Sequence, residues 1–99
     1  MIDMKTDMAI AQELLIQDFD ISNPGLVFSK MDALQNWLAG EISILLDRDM
    51  QRLFNVLYRI DVNESKVKLA FTADKPAWEI AGLIIERELQ KVASRKKYH

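Results

Sequence analysis

Apolar side chains recur at steps of three and four residues along most of the chain, which is the spacing of one face of an α-helix. The first such stripe lies within residues 4–19 and consists of Met4, Met8, Ala11, Leu15 and Phe19. Asp3 precedes this stripe and can cap the start of a helix. Because further apolar residues widen the stripe, we expect this helix to contact two neighbours or a second subunit, and the widening residues are Ile10, Leu14 and Ile16.

A strong helix breaker follows at residues 22–25, where Pro24 and Gly25 favour a turn with positive φ at the glycine. The loop continues with three apolar residues that we expect to be buried across the core, namely Leu26, Val27 and Phe28. Ser29 and Asp32 then resemble a capping box, with aspartate in place of the usual glutamate. This pattern predicts that the next helix begins at Lys30.

Two further helices are predicted between residues 30 and 60. The stripe of the first consists of Leu34, Trp37, Leu38, Ile42, Leu45 and Leu46. Gly40 lies inside it at a cost of about 1 kcal/mol relative to alanine, which close packing of a neighbour would offset. Asp47 and Asp49 mark a tight junction and are both N-cap candidates. The second helix carries two neighbouring apolar stripes. The first consists of Leu53, Val56, Leu57 and Ile60, and the second of Phe54 and Tyr58. Because apolar residues cover so much of its surface, we expect this helix to be central in the bundle.

The last part of the chain begins with a polar break at residues 61–65, where Asp61 or Asn63 can cap a helix. Residues 66–72 fit both a strand and a helix. A short helix is preferred because no other segment offers a strand to pair with. Pro76 suits the first turn of a final helix that runs to about Ser94, with residues 95–99 as a frayed tail.

These elements predict an all-α fold, a small bundle of four to five helices formed by residues 1–99 as a single domain. The length of 99 residues suits one domain, and 49% hydrophobic with 28% charged residues is typical of globular proteins. The absence of cysteine, of an apparent signal peptide and of a long apolar run favours a cytoplasmic protein without a membrane partner.

The sequence lacks the residues that most common catalytic sites require. The chain has no cysteine and a single histidine, His99, which excludes the common zinc sites and the Ser-His-Asp and Cys-His machineries. Its three glycines are isolated, so no phosphate-binding loop is present. We therefore expect no catalysis, no metal and no cofactor. An enzyme that relies on carboxylates and arginines is an alternative, and its candidate acid pairs are Asp47 with Asp49, Asp61 with Glu64, and Glu86 with Glu88.

The net charge of −2 is unevenly distributed. Residues 1–50 hold three Lys or Arg and nine Asp or Glu, whereas residues 51–99 hold ten and six. We expect acidic and basic helices to neutralise one another inside the molecule. The alternative is a nucleic-acid-associated regulator that uses the basic C-terminal half.

Two groups of polar and basic residues recur at helical spacing and are candidates for binding a partner or an anion. The first consists of Arg48, Arg52, Asn55 and Arg59, and the second of Arg87, Lys91 and Arg95. Internal acids or water are the alternative partners of these side chains. Trp37, Trp78, Tyr58 and the five methionines are assigned to the core rather than to a binding site.

Two segments, LFNVLYRIDVNESKVKLAF (Leu53 to Phe71) and LIIERELQKV (Leu83 to Val92), resemble small bacterial proteins whose function is uncharacterised. The likeness covers less than half of the chain and implies an all-helical fold without an established activity. The first and fourth helical segments are also more apolar than a minimal bundle needs. We therefore expect a protein-binding or regulatory module that associates with itself, as a homodimer or other homo-oligomer, or with another protein.

Overall fold

A computed structural model describes residues 4–25 and 27–97 of the chain. Five helices account for most of this part, and it contains no strand. The helices are α1 (Met4–Phe19), α2 (Met31–Arg48), α3 (Met50–Ile60), α4 (Glu64–Phe71) and α5 (Pro76–Lys97). The predicted all-α fold is confirmed, and the ambiguous residues 66–72 belong largely to a helix. The predicted cap at Asp3 and the terminal His99 lie outside the described residues.

α5 is the central helix, because it contacts each of the other four. Its predicted start at Pro76 is confirmed, and it continues to Lys97, past the predicted end at Ser94. The prediction that α3 would be central was wrong. Only one of the two apolar stripes of α3 is buried, and Phe54 and Tyr58 remain exposed. Both tryptophans are half-buried, and Trp37 packs against the core. The assignment of Tyr58 and Met50 to the core was wrong, because both are exposed.

The ends of the middle helices are set mostly by side-chain caps. Asp49 accepts a hydrogen bond from the Arg52 N–H at 3.1 Å, and Asn63 accepts one from the Lys66 N–H at 3.1 Å, as predicted. The capping box predicted at Ser29 was wrong. α2 starts one residue later than that pattern requires, and its N-cap residue is Lys30, whose side chain makes no capping hydrogen bond.

The loop that connects α1 to α2 contacts both helices. Gly25 has φ +82, as predicted, and its N–H bonds to Asn23 Oδ1 at 2.9 Å. The Phe28 N–H donates to Gln12 Oε1 of α1 at 3.0 Å, and the Phe28 ring lies 5.6 Å from that of Trp37 in α2. Burial of the whole apolar loop was not borne out, because Val27 is exposed, while Leu26 lies outside the described residues.

Gly40→Ala is expected to raise the free energy of unfolding by about 1 kcal/mol, because alanine is the better helix former. The close packing predicted at Gly40 is absent, since a Cβ there would meet nothing within 4 Å. Gly82→Ala is the matched comparison. Its Cβ would lie 2.9 Å from Gln35 Nε2, which donates to the Trp78 carbonyl at 2.9 Å. Urea denaturation should show a smaller gain or a loss for Gly82→Ala, and equal gains would contradict this assignment.

Candidate protein-binding surface

Two of the predicted anion-binding arginines bind the end of α1 instead. Arg52 Nη2 donates to the carbonyls of Phe19 and, at 3.2 Å, Asp20. Arg59 Nη1 donates to the Asp18 carbonyl at 3.3 Å. Carbonyls at the last turn of a helix lack partners within the helix and carry its partial negative charge, so guanidinium groups stabilise them. These contacts join the basic half of the chain to the acidic half.

The other two members of that group do not complete a row of guanidiniums. Arg48 belongs to the last turn of α2 and is exposed, and the chain bends at Asp49 before α3 begins. Asn55 is exposed on α3, where its Oδ1 accepts a hydrogen bond from Gln51 Nε2 at 3.0 Å. Arg48 therefore lies on a different helix from Arg52 and Arg59, so the first group does not form a single row along one helix face.

The second group lies along α5, and two of its members contact acids of the same chain. Arg87 Nε donates to the Asp61 carbonyl at 3.1 Å, and Arg87 Nη2 lies 3.6 Å from Asp61 Oδ2. Lys91 Nζ lies 3.5 Å from Glu88 Oε1. Arg95 is exposed at the far end, and together with Ser94 the three cations line a shallow depression. The spacing was predicted correctly, but two of the three charges are already paired.

Glu88 is a buried acid whose pKa is raised. Only 1% of its surface is exposed, and neither of its carboxylate oxygens has a hydrogen bond of good geometry within the described structure. Burial raises the pKa of Glu88, Lys91 opposes this shift, and the nearby Asp18 carboxylate adds to it. The sequence carried a signal for this position, since Glu88 lies at helical spacing from the buried residues Ile85 and Val92.

The other acids of the predicted pairs lie at helix ends or on the surface. Asp49 caps α3, Asp61 pairs with Arg87, and Glu86 is exposed on the opposite side of α5 from the buried Glu88. In the described part of the chain, no three acidic or histidine side chains come together in an arrangement that could hold a metal ion. Of the carboxylates predicted as pairs, Asp49 therefore caps a helix, and Asp61 and Glu88 lie beside cations of this chain.

The most distinctive surface is a groove between α3 and α4 that the sequence did not predict. Its volume is about 690 Å³. One wall is formed by α3 and the other by α4, with buried apolar residues as the floor. The lining includes Met50, Phe54, Leu57, Tyr58, Val62, Val67 and Phe71. The sequence does contain the apolar residues of this groove, as the second stripe of α3. Helical spacing alone could not show which of the two stripes faces the core.

Aromatic side chains dominate this groove. The rings of Phe54 and Phe71 lie with their centroids 5.7 Å apart across it. Phe54 is 45% exposed and Tyr58 is 89% exposed, which is unusual for two large side chains one helical turn apart. Three charged residues form the rim, Asp61, Glu64 and Lys68. An apolar groove with a polar rim is suited to another protein surface.

Comparisons with protein-family models, with curated proteins and with solved structures find no match to this chain. The resemblance of residues 53–71 and 83–92 to small bacterial proteins therefore stays a prediction. Among the described helices, none is both long enough and apolar enough to cross a membrane.

Proposed function

We propose that this protein is a protein-binding module that associates with itself through the groove between α3 and α4. The observation that supports this proposal is the exposure of Phe54 and Tyr58 beside Phe71. Burying one large apolar side chain contributes about 1.5–3 kcal/mol of favourable free energy. In a single chain these side chains stay largely in contact with water, so most of this free energy can be gained only on binding. Aromatic residues of this kind are enriched among the residues that dominate binding energy at protein interfaces.

The spacing of the exposed residues on α3 favours a second copy of the chain as the occupant. Met50, Phe54 and Tyr58 follow one another at steps of four residues, so they are symmetric about Phe54 along the helix axis. Antiparallel pairing about a two-fold axis at Phe54 sets each Met50 against the Tyr58 of the other copy. Both contacts then form twice, as in a self-complementary interface. A net charge of −2 adds only weak repulsion between the copies.

The two alternative functions have less support. A nucleic-acid regulator needs free cations, yet Arg52, Arg59 and Arg87 donate to main-chain carbonyls of this chain. An enzyme built on carboxylates needs acids that converge in a cleft. Glu88, whose pKa is raised, is instead buried in the core. A cytoplasmic location and a regulatory role remain part of the proposal, consistent with the composition.

Tyr58→Glu is expected to weaken self-association strongly, because a carboxylate would have to be buried against the apolar side chain of Met50 from the other copy. Residues of this kind contribute about 2 kcal/mol or more each, so the dimer dissociation constant should rise at least about thirtyfold. Sedimentation velocity over a concentration series measures this constant. Leu69→Glu is the matched control, because Leu69 is 72% exposed on α4 but lies outside the groove.

Three results would count against this proposal. A wild-type chain that stays monomeric at high concentration would contradict self-association. Equal weakening by Tyr58→Glu and Leu69→Glu would point to a general effect of charge instead of the groove. A dimer that both variants leave unchanged would place the interface elsewhere. Tyr58 is exposed, so unfolding of the variant is not expected, and circular dichroism checks this point.

A further inference from the structure

The second basic group predicted from the sequence surrounds a shallow depression on α5. Its volume is about 400 Å³, and the residues that line it are Arg87, Lys91, Ser94 and Arg95. Each of these side chains can donate hydrogen bonds, and three of them are cations. Among the residues that the structure describes, no acidic side chain lines this depression. Its lining is therefore suited to an anion.

Arg87 is held in position at one end of the depression. Its Nε donates to the Asp61 carbonyl at 3.1 Å, while its Nη2 lies 3.6 Å from Asp61 Oδ2. The second distance exceeds the range of about 2.7–2.9 Å for a charge-assisted hydrogen bond. The Asp61 side chain is 86% exposed, so water screens this ion pair. Because a guanidinium carries several further N–H groups, Arg87 is oriented by Asp61 and can still bind a ligand.

Lys91 is held in a similar way, one turn further along α5. Its Nζ lies 3.5 Å from Oε1 of Glu88, a buried acid that does not line the depression. This contact positions the ammonium group but lowers the net charge of the site. Arg95 supplies the uncompensated charge, because it is exposed and makes no ion pair with another described residue. The negative end of the α5 dipole opposes an anion mainly at the last turn, which Arg87 and Lys91 precede.

We propose that this depression binds a phosphate monoester. Near neutral pH such a group carries a charge of about −1.5 to −2 and offers three strong acceptor oxygens, which match three cations and a hydroxyl. A carboxylate offers fewer oxygens and a single charge, so it would leave part of the lining unpaired. The site shares no residue with the groove between α3 and α4 and is therefore independent of self-association.

Two-dimensional amide NMR of the full chain, titrated with phenyl phosphate at low salt and about pH 7.5, tests this site. We expect saturable shift changes centred on residues 87–95. Arg95→Gln should raise the Kd about three- to tenfold, because it removes a charge-assisted hydrogen bond at an exposed position. Ser94→Ala should raise it by a smaller factor. Arg48→Gln is the control, because it removes an exposed arginine at the end of α2 and should leave the Kd unchanged.

Three further probes identify the ligand. Tighter binding of phenyl phosphate than of a phosphoserine peptide would support a small-molecule ester, and the reverse order would support a phosphorylated protein. Benzoate that binds as tightly as phenyl phosphate would contradict the preference for phosphate. A single-stranded oligonucleotide that binds more tightly than either ester would replace the monoester by a nucleic acid, whose binding depends on several phosphates at once.

Two results with the chain variants would overturn the site itself. The first is a wild-type chain that shows no saturable binding of phenyl phosphate, or an Arg95→Gln chain that binds it as the wild type does. The second is equal weakening by Arg48→Gln, which would indicate a general effect of net charge instead of a site on α5. Both arginines are exposed, so neither substitution is expected to unfold the chain, and the dispersion of the same NMR spectra checks this point.

Discussion

Phe19→Ala is expected to lower the free energy of unfolding by about 3–5 kcal/mol, the cost of removing a large aromatic side chain from a packed core. Phe19 is the last residue of α1 and none of its surface is exposed. It belongs to the same cluster of buried residues as the core of α2, α3 and α5. Since domains of this kind are stable by about 5–15 kcal/mol, the variant should lie close to the limit of folding.

Urea denaturation followed by circular dichroism measures this loss. Leu69→Ala serves as the control, because it also truncates a large apolar side chain but at an exposed position. The control should change the free energy of unfolding by less than about 0.5 kcal/mol. A similarly small effect of Phe19→Ala would show that the C-terminal turn of α1 is not packed as described.

Arg52→Gln is expected to lower the free energy of unfolding by about 1.5–3 kcal/mol, the usual contribution of hydrogen bonds that involve a charged group. The half-buried Arg52 joins α3 to the end of α1 through the carbonyls of Phe19 and Asp20. Glutamine is shorter and uncharged, so it cannot satisfy both carbonyls or oppose the negative end of the helix. Chemical denaturation measures the loss.

Arg48→Gln is the matched control, because Arg48 is an exposed arginine at the end of α2. It should leave stability nearly unchanged. Arg52→Gln should also leave self-association intact under conditions where the variant is folded, since Arg52 does not line the groove. If Arg52→Gln kept full stability but lost binding to a partner, the sequence-based prediction of an anion-binding role would be favoured over the structural role.

The spacing of apolar residues was sufficient to predict α1, α2, α3 and α5, because helix periodicity is a local property. The spacing in α4 also fitted a strand, and the absence of a partner strand decided for a helix. The turn at Gly25 and the caps at Asp49 and Asn63 were also predictable, since each depends on residues close in sequence. The start of α2 was predicted one residue too early. Ser29 has the side chain of an N-cap residue, but the N-cap position is occupied by Lys30, whose side chain makes no capping hydrogen bond.

The candidate site was harder to predict because it depends on contacts between distant residues. Two apolar stripes run along α3, and their spacing is equally helical. The packing of α3 against α1, α2 and α5 decides that Leu53 is buried while Phe54 is exposed. The contacts of Arg52 and Arg59 have no sequence signature either, since their acceptors are main-chain oxygens.

The arginine contacts at the end of α1 also constrain how this chain can evolve. Main-chain oxygens belong to every residue type, so the side chain at position 20 can drift without losing its bond to Arg52. Its φ of 51° restricts that drift mainly towards asparagine and glycine. Insertion or deletion of one residue within α1 would rotate the final carbonyls away from both guanidiniums. Among homologues, the length of this helix should therefore be preserved more strictly than the identity of its last exposed residues.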